Sequence, residues 1–236
     1  MTDTTTASPP AAQLGYDDLP RLIALMTGDE KHSTSADSTL DVLWVLYDHV
    51  LNVTPATADD PDRDRFLLSK GHGPTAYYAV LAAKGFIPIQ TLATFGAYDS
   101  QLGHHPDRML IPGVEISSGS LGHGLPIGIG IALGLHAQNR PSRVVVLVGD
   151  AELDEGSNHE AIALAGRLGL DRLTVVVVDN RSATYGWPGG IAGRFEIEGW
   201  AAATVGGRDS EALAAELTAE HRGQPNVVVA EVEKGT

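Results

Sequence analysis

The stretch Val144-Val-Val-Leu-Val-Gly149-Asp150-Ala151-Glu152-Leu153-Asp154-Glu155-Gly156 decides the fold. An apolar run ends abruptly in Gly-Asp. A second apolar run, Leu173 to Val178, ends in Asp179-Asn180, which puts Asn180 thirty positions after Asp150. Each run reads as a buried strand of a parallel sheet, and each ends in an oxygen ligand. Between them, Ser157-Asn-His-Glu160 fits a capping box, with Ser157 as cap and Glu160 three positions on. A helix then runs through Ala161, Ile162, Leu164, Ala165 and Leu168 toward Gly169. Strand, loop, helix and strand make one right-handed crossover. Neighbouring strand ends in such a sheet open onto one crevice, where ligands bind. A carboxylate and an amide oxygen side by side suit magnesium, which takes few protein ligands and completes its octahedron with phosphate oxygens. The spacing predicts a magnesium-held diphosphate.

Working outward, short strands are expected at 66–68, 143–148, 173–178, 202–205 and 227–232. Helices are expected at 17–26, 38–51, 74–84, 91–97, 120–138 and 210–221, with a polar loop at 54–64. The helix from Ser120 to Gln138 reads as buried despite glycines at 122, 124, 128, 130 and 134. Each costs roughly 1 kcal/mol against alanine, so the repetition implies close approach of another element or a second subunit. Together these elements give an α/β class, a mostly parallel sheet with helices on both faces. Residues 1–14 read as a disordered tail rich in Thr, Ala and Pro, and 15–236 as one domain.

Composition narrows the function. A formal charge of −14 argues against binding nucleic acid or an anionic membrane. The sequence has no cysteine, so it carries no disulfide framework or thiolate site, in keeping with a cytoplasmic protein. The start lacks the basic and apolar regions of a signal peptide. The longest apolar stretch, Leu125 to Ala137, is too short to span a bilayer.

Several segments, in order, resemble the transketolase family. Gly149-Asp150, Glu155-Gly156 and Asn180 resemble the thiamine-diphosphate signature. Ser69-Lys-Gly-His72 looks like the family's serine-x-glycine-histidine, and Gly103-His-His105-Pro its glycine-histidine-proline. Pro112-Gly-Val-Glu115 through Gly119-Ser-Leu-Gly-His-Gly124 resembles its glycine-rich turn and helix. Asp41 to Tyr47 resembles the helix after the family's first histidine, which would be His32. Asp150 and Asn180 alone would more often than not read as a turn cap and a loop amide; the ordered motifs give the pair its meaning.

The resemblance implies the thiamine-diphosphate-binding fold of the diphosphate domain, with thiamine diphosphate and Mg2+ as cofactors. It implies Asp150, Asn180 and the Ser182 carbonyl as metal ligands, and His72, Gly119, Leu121, Gly149, Asp150, Ala151 and Asn180 around the cofactor. His32, His72 and His105 would act on substrate and cofactor, and Glu155 in the network between paired active sites. Imidazole suits proton exchange near neutral pH.

Some positions depart from the family. Ala151 stands where it has glycine. If that position needs positive φ, alanine costs on the order of 1–2 kcal/mol; if glycine only admits the diphosphate, a methyl group is tolerated. His104 and His123 stand where members more often carry glycine and glutamine, as channel or surface residues. Tyr185 and Trp187 read equally as pocket wall and as core.

The family's catalytic glutamate lies in a pyrimidine-binding domain that these 236 residues do not contain. The reading is therefore one subunit of a split transketolase that moves a two-carbon ketol unit from a sugar or sugar phosphate. Its partner is a separate pyrimidine-binding subunit, with two copies of each chain. The alternatives are a subunit of a 2-oxo acid dehydrogenase-like or carrier-directed transferase, and a degenerate regulatory homologue.

Overall fold

The computed structural model describes residues 14–27, 33–184 and 186–232. Five strands form one sheet: β1 (Arg65–Leu68), β2 (Val144–Gly149), β3 (Leu173–Asp179), β4 (Ala201–Gly206) and β5 (Asn226–Glu231). Their order is β1-β2-β3-β5-β4, and all four pairings are parallel. Parallel strands need long crossovers, and helices supply them. Helices α1 (Leu19–Ile23) and α2 (Ser33–Val45) precede β1, and the crossover helices are α3 (Pro74–Ala83), α4 (Gly124–Ala137), α5 (Gly156–Leu168), α6 (Gly190–Ile197) and α7 (Ser210–Thr218).

The valine-rich strands bury both faces, and the period of two sorts their side chains into two cores. Phe66, Val145, Leu147, Val176, Val178 and Val228 face the layer built from α1, α2, α3 and α7. Leu67, Val146, Val148, Val175, Val177 and Val229 face α4, α5 and α6. Each fully buried side chain of this size contributes about 1.5–3 kcal/mol, so the sheet centre is the most strongly determined part of the chain.

Three expectations need correction. Ser157 does not cap α5. The cap position is Glu155, with no side-chain cap hydrogen bond, and Ser157 Oγ instead donates to the Gly122 carbonyl at 2.7 Å. A tertiary acceptor has won over the local one. Second, the glycine-rich helix starts at Gly124 rather than residue 120 and is not buried all round. Ile127 and Leu133 are 44% and 39% exposed. Third, the helix expected at 91–97 is a 3-10 helix over Ile89–Thr94; α6 over 190–197 has no counterpart among the expected helices. The tail, His32 and Tyr185 lie outside the described residues.

The α4 glycines divide by environment. A Cβ on Gly128 would stand 2.5 Å from Val146 Cγ2, whereas one on Gly130 or Gly134 would meet nothing within 4 Å. Gly128 therefore lets the helix approach β2, and Gly130 has no such task in this chain. Gly128→Val should lower stability by about 1–3 kcal/mol through overpacking. Gly130→Ala should raise it by up to about 1 kcal/mol through helix propensity. Urea unfolding of both variants checks the contrast; equal effects would contradict this packing of α4.

Candidate functional site

The register of β2 and β3 builds the centre of the site. Gly149 pairs with Val178, and the Asp150 N–H donates to the Val178 carbonyl at 3.1 Å. Asp150 and Asn180 thus leave adjacent strand ends together. Asp150 is 1% exposed. Its carboxylate accepts the Ser182 N–H at 2.6 Å, the Ser182 hydroxyl at 2.6 Å and the Ala183 N–H at 2.9 Å. An ionised carboxylate offers about four lone-pair positions, so these three donors leave room for a further partner. Asn180 Oδ1 is shielded from solvent and has no hydrogen-bond partner among the described residues. An orphaned buried acceptor costs about 1–3 kcal/mol, a cost that a cation or its bound water would remove. The donor set is oxygen only, as magnesium requires. Among the described residues no group of three or more His, Asp or Glu gathers as a transition-metal cage would.

Ala151 opens a 3-10 turn, Ala151–Asp154, and is not among the residues with positive φ. The strain alternative for this alanine is thereby removed. The left-handed residue lies on the facing loop instead: Arg181 has φ 58°, with its N–H on Asp179 Oδ1 at 3.0 Å.

The motif histidines reach the same edge of the sheet. His72 follows the end of β1 and is exposed. Its neighbour Gly71 lies against Leu121: a Cβ there would be 3.1 Å from Leu121 Cδ2 and 3.6 Å from the Gly119 carbonyl. Gly119 has φ 121°, and a Cβ on it would stand 2.8 Å from the His105 ring. The His72 loop, the Gly119–Leu121 turn and His105 therefore form one contiguous wall beside Asp150. Glu155 is exposed and adjoins Gly122, where a Cβ would meet Glu155 Cβ at 2.7 Å. His104 packs edge-on against Phe95, and His123 is an exposed residue preceding α4. Trp187 stacks on His159, with centroids 5.1 Å apart. That pair helps line a cavity of about 280 Å3 with Asp154 and Arg194. A larger cavity, about 590 Å3, lies at the opposite, N-terminal ends of β2, β3 and β5 around Arg172, His221 and Asn226, away from every motif residue.

Two buried charges at the site have no counterpart in the sequence motifs. Glu152 reads as part of a loop, and Lys70 as the spacer in serine-x-glycine-histidine. Nothing in their spacing signals burial, yet they are 1% and 8% exposed. Lys70 Nζ donates to Thr39 Oγ1 at 3.0 Å and to the His72 carbonyl at 3.4 Å. Burial pulls its ammonium down to about 8, against the opposing pull of Asp150 and Glu152. Between about pH 8 and the ordinary 10.5 the unfolded chain then holds more protons than the folded one. Stability contributed at this position therefore rises with pH across that window. Relative to Lys70→Met, the parent should gain on the order of 3 kcal/mol between pH 8 and 10.5. Denaturant unfolding at several pH values measures it, and a flat difference would show that the amine titrates normally.

The chain is similar to known proteins over most of its length. The family description "Transketolase, thiamine diphosphate binding domain" matches residues 24–233. The chain is 59% identical over 221 residues to the protein named ferredoxin fas2 of Rhodococcoides fascians, covering 93% of this chain and 73% of that one. Iron–sulfur clusters of ferredoxins are held by cysteine thiolates, and these 236 residues have none, so the name does not carry over. It is 37% identical over 210 residues to a subunit of the apulose-4-phosphate transketolase of Actinobacillus succinogenes, covering 86% and 76%. The solved transketolase of Leishmania mexicana superposes with a TM-score of 0.75 at 26% identity, over 93% of this chain. The chain spans about a third of that enzyme's length (37%). The family match takes in every described strand and the helices α2 to α7, and the chain belongs to the transketolase family through its thiamine diphosphate binding domain.

Proposed function

We propose that this chain, with residues 15–236 as one diphosphate-binding domain, is one component of a two-component transketolase that moves a two-carbon ketol unit between sugars. The observation that carries the reading is the pair Asp150 and Asn180. One is a buried carboxylate, the other an amide oxygen without a partner, and they stand on adjacent strand ends. In this reading Asp150, Asn180 and the Ser182 carbonyl hold Mg2+, and the cation neutralises the cofactor's diphosphate. Gly149, Ala151, Gly119 and Leu121 border the cofactor. Thiamine diphosphate, when bound, supplies the nucleophilic carbon needed to break the bond next to a ketose carbonyl. His72 and His105 accept and return protons at substrate hydroxyls, and His32 is assigned the same task by resemblance. The proximity of the His72 loop and of His105 to the Gly119–Leu121 turn supports the roles of these two.

The partner is a pyrimidine-binding chain, assembled as two copies of each. Support comes from the Actinobacillus succinogenes relative, itself named as one subunit of a transketolase, of which this chain covers 76%. Further support comes from the apolar surface that α4 and α5 leave uncovered: Ile127, Leu133, Leu164 and Leu168 are 39–49% exposed. Gly130 and Gly134 leave open space on α4, which permits close helix approach. Glu155 lies beside the start of α4 and is placed to meet a second active site. Among the described residues no helix is long and apolar enough to cross a membrane. We place the enzyme in the cytoplasm.

The test is reconstitution. The chain alone should lack ketol transfer. Mixed with a candidate pyrimidine-binding polypeptide, thiamine diphosphate and Mg2+, it should form a hetero-oligomer that transfers two-carbon units from a ketose. Ile127→Asp should abolish assembly at micromolar concentration while the circular dichroism of the chain is unchanged. Light scattering and a coupled ketol-transfer assay read both. Full activity from the isolated chain, or normal assembly by the Ile127 variant, would contradict the proposal.

A further inference from the structure

The turn that begins α4 has no strand to hold it. Its polar backbone is tied down by side chains: Glu152 holds the Gly122 N–H directly and Gly124 through Ser69, while Ser157 holds the Gly122 carbonyl. Glu152 stands two residues past Asp150 on the Ala151–Asp154 turn. Its Oε1 accepts the Ser69 hydroxyl and the Gly122 N–H, the latter at 2.9 Å. Its Oε2 faces the Gly149 N–H at 3.4 Å. Ser69 Oγ in turn accepts the Gly124 N–H at 3.0 Å. The packing is tight enough to transmit a shift, because a Cβ on Gly124 would fall 2.2 Å from the Ser69 side chain.

Each tied segment carries part of the candidate site. Ser69 begins the loop that carries His72. Gly122 and Gly124 close the turn that presents Gly119 and Leu121. Gly149 precedes Asp150. We propose that Glu152 is a positioning residue, whose carboxylate sets the spacing between the metal-binding turn, the glycine turn and the His72 loop. Three donors converge on it from three segments, and only the ionised carboxylate accepts at both oxygens without offering a hydrogen of its own. Burial pushes the Glu152 carboxyl up, while Ser69, Gly122 and Gly149 pull it back down. The inference rests on the transketolase reading for its effect on turnover. Its effect on cofactor binding does not depend on which substrate is used.

Glu152→Gln keeps the shape but turns an NH2 toward at least one of the donors. In the assembled enzyme, calorimetric titration with thiamine diphosphate and Mg2+ should show affinity falling about tenfold or more. Turnover at saturating cofactor should fall a further tenfold or so. In a His72→Ala background the same substitution should change turnover less than about threefold, because the group being positioned is gone. A residue that merely supports the fold would cost the same factor in both backgrounds, and that additivity would overturn the proposal. Unchanged cofactor affinity in a folded Glu152→Gln enzyme would overturn it as well. Should that variant fail to fold, Ser69→Ala interrupts the same relay more gently. Smaller losses in the same two quantities support the proposal; native affinity and native turnover refute it. If the parent assembly binds cofactor but transfers no ketol unit, the transketolase reading fails, and Glu152 is judged on affinity alone.

Discussion

The parallel register between β2 and β3 is the constraint from which the rest follows. With Gly149 opposite Val178, the first residues past each strand are brought side by side whatever the loops do. Two valine-rich runs buried on both faces fix that register, since a one-residue slip would turn every side chain to the wrong core. The result is a carboxylate and an amide at one point of a crevice, held by the most stable part of the molecule. The loops then add to it: Ser182 and Ala183 fold back onto Asp150, and the Gly119–Gly124 turn lies over Glu152.

The site is strongly charged, with one lysine partly offsetting two carboxylates. Asp150, Glu152 and Lys70 are all buried, and each has hydrogen-bond partners. A buried lysine between two carboxylates would be costly alone, because the effective penalty for taking an ion out of water is several kcal/mol. Here the charges partly offset one another, which lets a chain of net charge −14 keep two carboxylates at the place where a diphosphate would lie. The Asn180 side-chain oxygen, like Asn158 Oδ1 nearby, is a buried acceptor without a partner among the described residues, and it is the one that stands on the strand end beside Asp150, where a ligand would complete the set.

Much of this is legible in the residues. The valine runs announce their strands, and Gly-Asp followed thirty positions later by Asn brings the candidate pair Asp150 and Asn180 together, because burial on both faces leaves little freedom for either run. The histidine motifs are legible for a different reason, their order and local context. What escapes depends on tertiary competition. Ser157 has the signature of a cap but bonds the Gly122 carbonyl. The helix α6 opens at Gly189-Gly190, both with positive φ, a composition that reads as loop. The all-round apolar α4 reads as buried, yet this chain covers only the face toward β2. Glu152 and Lys70 are invisible because a charged residue beside a motif is ordinarily a surface residue. Only the folded backbone shows that both turn inward.

The central claim is that Asp150 and Asn180 share one cation bound together with a diphosphate. Soaking crystals of the assembled protein in Mn2+ and thiamine diphosphate, then collecting at the manganese absorption edge, tests it directly. The account predicts one strong anomalous peak per chain at roughly magnesium-like bonding distance, about 2.0–2.2 Å, from an Asp150 carboxylate oxygen, Asn180 Oδ1 and the Ser182 carbonyl. Well-ordered cofactor with its cation on other residues, or with no peak beside Asp150, would contradict it.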